Sequence, residues 1–85
     1  SHIRFALKLR SCPVLDHQKL IDLLLRECDS LAVGRRPVVR EVASLDAPAV
    51  FGLFRHTICF PPGLIERLSE RELRWVIRHE LAHVR

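Results

Sequence analysis

No stretch of this chain approaches the ~18 consecutive apolar residues that a membrane span needs. Nor does it open on the charged-then-apolar pattern of a secretory signal. Cysteine is sparse and unpaired: Cys12, Cys28 and Cys59 are an odd number at wide spacing, without a CxxC pair. That argues against a secreted disulfide framework and for a reducing compartment. As small apolar side chains, all three suit packing. There are only 3 Gly and 5 Pro, with no internal repeat and no low-complexity tract, which excludes disordered and fibrous classes. Aromatic residues are too few to interleave with the basic ones as they would on a base-stacking surface. The net charge of +4 comes from 14 basic and 10 acidic residues. By charge alone such a chain could meet nucleic acid or an anionic membrane surface. Its arginines are scattered, however, with Arg35-Arg36 the only adjacent pair, and no nucleic-acid partner is expected.

What remains is one small domain: 85 residues, 48% of them apolar, enough for a single modest core. Residues 3–10, IRFALKLR, alternate apolar and polar, a strand periodicity that Pro13 interrupts. Asp16 is a good N-cap. Leu20, Ile21, Leu24, Leu25, Cys28 and Leu31 then recur at helical spacing, and Gly34 follows where helices commonly stop. A helix is predicted over about 16–32. Short segments rich in β-formers come next: PVVREV at 37–42, AVFGLF at 49–54 and TICF at 57–60, with Asp46-Ala47-Pro48 and Arg55-His56 as turn candidates. The last two read as a hairpin, and Gly52 within a strand hints at a bulge or a close backbone approach. Pro61-Pro62-Gly63 ends the sheet and opens a helical turn at 64–68. The class predicted is α+β: an N-terminal helix, a small sheet of about three strands with an exposed edge, and a C-terminal helix.

That last helix is the most clearly written. Ser69 and Glu72 form an S-x-x-E capping box. Beyond it Leu73, Val76, Ile77, Leu81 and Val84 fill one arc about 140° wide at ~100° per residue, and the helix is expected to run to the end of the chain. Arg74, Arg78, Ala82 and Arg85 fall opposite, on the expected solvent side. His79 and His83 lie on one flank of the apolar arc, with Glu80 at its buried edge.

HELAH, residues 79–83, matches the HExxH motif. Histidines at i and i+4 stand one turn apart, so both imidazoles can reach one zinc ion at ~2.0–2.1 Å. The glutamate between them can take a proton from a water that the metal activates and hand it to the leaving amine of a cleaved peptide. With 5 His in the chain, a chance match is expected roughly 0.02 times. The plain alternative makes these three residues ordinary groups on a helix boundary. His17 and His56 read as solvated; His56 reaches the cleft only if the hairpin packs there.

The ordered series LDHQKLIDLLLRECDSLAVGRRPVV, then DAPAVFGLFRHTICFPPGLIERLSERELRWVIRHELAHVR, resembles the protease segment of the BlaR/MecR-type bacterial membrane metallopeptidases, which are gluzincins. The resemblance covers about residues 13–85. It implies a truncated minigluzincin-like fold, one zinc ion held by His79 and His83, and Glu80 as general base. It further implies that Ala49, Val50, Phe51 and Gly52 form the edge strand that pairs with an extended peptide substrate by backbone hydrogen bonds. Gluzincins take a third zinc ligand, a glutamate, from a downstream helix, and a catalytic zinc wants three protein ligands. This chain stops at Arg85, so the resemblance makes it an excised fragment, expected to be inactive alone. Residues 1–15 would be a juxtamembrane or linker segment. The parent would be an integral membrane protein, its protease part at the cytoplasmic face of the bacterial inner membrane and its substrate a cytoplasmic protein, in a signalling role such as antibiotic sensing.

Two functional classes follow. One is part of a zinc endopeptidase. The other is a non-catalytic interaction module whose HExxH helix is vestigial. In either case the chain by itself is expected to associate through its last helix or its open edge strand.

Overall fold

A computed structural model describes residues 8–51 and 56–84. Helix α1, Gln18–Ser30, buries Leu20, Leu23, Leu24, Glu27 and Cys28, the i, i+3, i+4, i+7 stripe of an amphipathic helix. It starts later than its sequence suggests: the N-cap is His17, without a side-chain cap bond, and Asp16 stays outside. Its end is a Schellman motif. The Val33 N–H donates to Cys28 O at 2.8 Å and the Ala32 N–H to Asp29 O at 3.3 Å. The left-handed residue is Ala32 (φ 57°), not Gly34, so the helix closes two residues before the glycine that marked it.

Three strands follow: β1 (Val38–Glu41), β2 (Ala49–Phe51) and β3 (Thr57–Phe60). Their order is β1-β3-β2. β2 and β3 pair antiparallel, as the hairpin reading predicts, with Val50 opposite Ile58. β1 pairs with β3 in parallel, Val39 opposite Ile58. The outer rim of β1 is occupied by residues 13–15: the Leu15 N–H donates to Val39 O at 2.8 Å and the Glu41 N–H to Pro13 O at 3.0 Å. Arg40 adds a guanidinium bond to Cys12 O at 2.7 Å. Residues 8–10 are helical rather than extended, which corrects the strand reading there. Residues 3–7 and the 52–54 part of the second strand segment lie outside the described residues.

Every residue of β3 is buried, because both faces of the sheet are covered. Ile58 and Phe60 join Val39 in a core with Leu20, Leu24, Ile65, Leu73, Ile77 and Leu81, and Val50 packs against it. The opposite face carries Cys59, Val42 and Leu9, with Cys12 and Leu45 against them. The cysteines are free thiols. Burial pushes the Cys59 thiol up to about 11, with Cys12 adding to the rise and Arg40 opposing it. Burial likewise raises Cys28, against the pull of Arg36. Both remain protonated and pack as apolar groups.

After the short α2, Leu64–Arg67, helix α3 spans Glu70–Leu81. Its capping box forms as the sequence specifies: the Ser69 N–H donates to Glu72 Oε1 at 2.9 Å, and the Glu72 N–H to Ser69 Oγ at 3.1 Å. The Ser69 backbone amide and then its hydroxyl hold the Glu72 carboxyl below the usual glutamate range. Its contribution is therefore full above the ordinary glutamate value and fades as pH falls through the lowered one. Ser69→Ala should cost about 1 kcal/mol in urea denaturation at neutral pH, with a smaller deficit in acid. Alanine keeps the amide that donates to the carboxylate, so the acid-sensitive part of the deficit is the share that the Ser69 hydroxyl has in holding Glu72. An unchanged deficit at low pH would show that share to be nil. Contrary to expectation, α3 does not continue as α-helix to the chain end. Past Leu81 the bonds tighten, His83 N–H to Glu80 O at 3.1 Å and Val84 N–H to Leu81 O at 2.9 Å, the i→i+3 closure common where the last carbonyls need donors.

Candidate metal centre

The site grows out of the way α3 is seated. Leu73, Ile77 and Leu81 turn into the core, which fixes the rotation of the helix and leaves its flank at the edge of the packed surface. His79 and His83 are both exposed, and His83 lies in the tightened turn just past the helix. Their rings nevertheless meet, centroids 5.3 Å apart at 86°. Two imidazoles sharing one tetrahedral zinc at ~2.0–2.1 Å per bond would hold their ring centres roughly 5 Å apart. The observed separation is close to that value.

Glu80 is more deeply set than either ring. It is 8% exposed, and the His83 ring lies next to it, with Nδ1 4.0 Å from Oε1. A carboxylate drawn that far out of water normally has close hydrogen-bond partners. Here the contact with His83 is longer than a hydrogen bond, and it sets the carboxylate beside that imidazole. These observations fit a divalent cation on the two rings and a proton acceptor next to it. Among the described residues no three of His, Cys, Asp and Glu gather where they could share an ion. His17 and His56 are exposed and take no part.

Of the edge-strand residues, Ala49, Val50 and Phe51 form β2 at one rim of the sheet, while Gly52 lies outside the described residues. The Val50 side chain packs toward the helices. Only the main chain of β2 is therefore open to a peptide at that position.

Two features escaped the sequence reading. Arg78, placed on the solvent side by its helical angle, reaches Glu27 on α1, Nε to Oε1 at 3.2 Å. That oxygen is buried and not aligned for a hydrogen bond, so the pair is held by charge rather than direction. Trp75 stacks on His79, centroids 5.5 Å apart and 9° from parallel. The signal for it was the i, i+4 spacing of Trp75, His79 and His83 along one flank.

Peptidases are the class that sets such a pair of imidazoles on a helix with a glutamate between them, and comparison with known families agrees. The chain belongs to the BlaR1 peptidase M56 family, whose profile matches residues 2–85. Over 43 residues, 51% of its length, it is 37% identical to the "Methicillin resistance mecR1 protein" of Staphylococcus aureus and, at the same identity and extent, to that of Staphylococcus epidermidis. Those 43 residues are 7% of the relatives' length. No described helix is long and apolar enough to cross a membrane.

Proposed function

We propose that this chain carries the catalytic helix of a zinc-dependent endopeptidase domain. The parent would be a membrane-anchored bacterial protease that cuts a cytoplasmic protein at the inner face of the membrane. Membership in the BlaR1 peptidase family and likeness to proteins named for methicillin resistance support a place in antibiotic-resistance signalling. The observation that carries the reading is the 5.3 Å approach of the two imidazoles with buried Glu80 beside them.

His79 and His83 would hold the ion, and a downstream glutamate of the parent would complete the set. When bound, zinc supplies the Lewis acidity that makes water nucleophilic near neutral pH and polarises a peptide carbonyl. Glu80 accepts the proton of that water on a carboxylate oxygen and delivers it to the departing amine. The main chain of Ala49–Phe51, continuing into Gly52, receives the substrate as an added strand; the same rim would accept a second copy of the chain.

The test is zinc stoichiometry in the full-length parent. One tightly held ion is expected, with affinity reduced on the order of 100-fold or more in His79→Ala and in His83→Ala, since even indirect supports of a ligand cost up to about 100-fold. A parent that binds no zinc, or keeps it in both variants, would favour the second reading, a non-catalytic interaction module. The absence of a three-ligand group among the described residues is what speaks for that reading.

A further inference from the structure

Trp75 is the chain's single tryptophan and it is 68% exposed, although a ring of that size is ordinarily covered. The core does not use it. Its aromatic neighbour is His79, nearly parallel at 5.5 Å, and His79 in turn meets His83 edge-on. Residues 75, 79 and 83 are spaced by one turn each, so the His79 ring sits between the indole on its N-terminal side and the second imidazole on its C-terminal side. An exposed histidine otherwise samples its ring torsion broadly. Flat contact with a larger ring narrows that sampling, and a ligand already oriented loses less freedom when it binds an ion.

The geometry points to Trp75 as the positioning residue for the metal ligand His79: an indole that holds the imidazole in its coordinating orientation before the ion arrives. The inference rests on the metal-site reading above. It adds a residue that touches neither ion nor substrate and acts through His79. Leu31 and Arg78 border the same shallow groove, and the Arg78–Glu27 pair ties this flank of α3 to α1, which keeps the platform still.

The 85-residue chain itself serves for the test, with Ni²⁺ as the only added metal; among first-row ions it binds imidazole strongly. Because the sole indole lies against His79, Ni²⁺ should quench the intrinsic fluorescence, and His79→Ala should abolish that quenching. Affinity is then measured by competition with a chromophoric chelator, so that variants without tryptophan can be compared. Trp75→Ala should weaken Ni²⁺ roughly three- to tenfold, the scale of an aromatic pair. Trp75→Phe, which keeps a flat ring, should stay within about twofold. Circular dichroism should show equal helix content in both, since the indole is outside the core. Equal affinity of wild type and Trp75→Ala, with His79→Ala and His83→Ala still impaired, would overturn the positioning role and leave the metal site standing. Equal affinity of all four chains would remove the metal site and the inference together.

Discussion

On the proposed function, Glu80→Gln in the full-length parent should lower kcat/KM for peptide cleavage by about 10²–10⁴-fold and leave its zinc content unchanged. The amide has nearly the volume of the carboxylate, so the packing that holds Glu80 at 8% exposure survives. His79 and His83, whose rings set the metal site, are untouched. What disappears is the ability to accept a proton beside the ion. The loss should fall on kcat with KM little changed, because the proposed general base acts in the transition state and does not hold the substrate. A variant with near-normal turnover and full zinc would place the base elsewhere. One that lost its zinc would show Glu80 to be structural.

The second large effect concerns the chain's cohesion. Phe60→Ala should abolish cooperative thermal unfolding of the 85-residue chain, followed by circular dichroism. Phe60 ends the central strand, is wholly buried and lies in the core shared by α1, α2 and α3. Such truncations cost about 3–5 kcal/mol. Domain stabilities run to about 5–15 kcal/mol, and short chains sit at the low end because less of their surface is buried. Trp75→Ala is the internal contrast: with its ring mostly in water, the midpoint should shift little. A sharp transition in Phe60→Ala near the wild-type midpoint would mean that the core does not depend on this ring.

Much of the architecture was legible in the residues because its signals are local. A hydroxyl three residues before a glutamate specifies the start of α3, and a 3.6-residue apolar repeat specifies the buried faces of α1 and α3. Two β-rich runs separated by a short link specify the β2–β3 hairpin. The parallel pairing of β1 with β3 carried no such signal, since direction is decided by a non-local neighbour. Local rules also failed at the two ends of α1. Ala32 adopts the left-handed conformation that Gly34 advertised, and His17 stands where Asp16 was the better cap.

At the site, HELAH was readable because its spacing is its chemistry. Arg78 lies on the solvent side as its helical angle says, but a helical wheel locates only the Cβ, and the long guanidinium stem also reaches back to the buried Glu27. Trp75 was overlooked because an aromatic at helical spacing usually means core, and here it lies outside it.

The sheet has two unequal rims. Residues 13–15 occupy the one along β1, and among the described residues nothing hydrogen-bonds to the far side of β2. Growth of the sheet is therefore one-sided. Since β2 runs against β3, a guest laid antiparallel to β2 would travel N to C in the same sense as β3 and β1. The rim thus has a built-in heading, by which a forward-running guest can be told from a reversed one before any side chain is read.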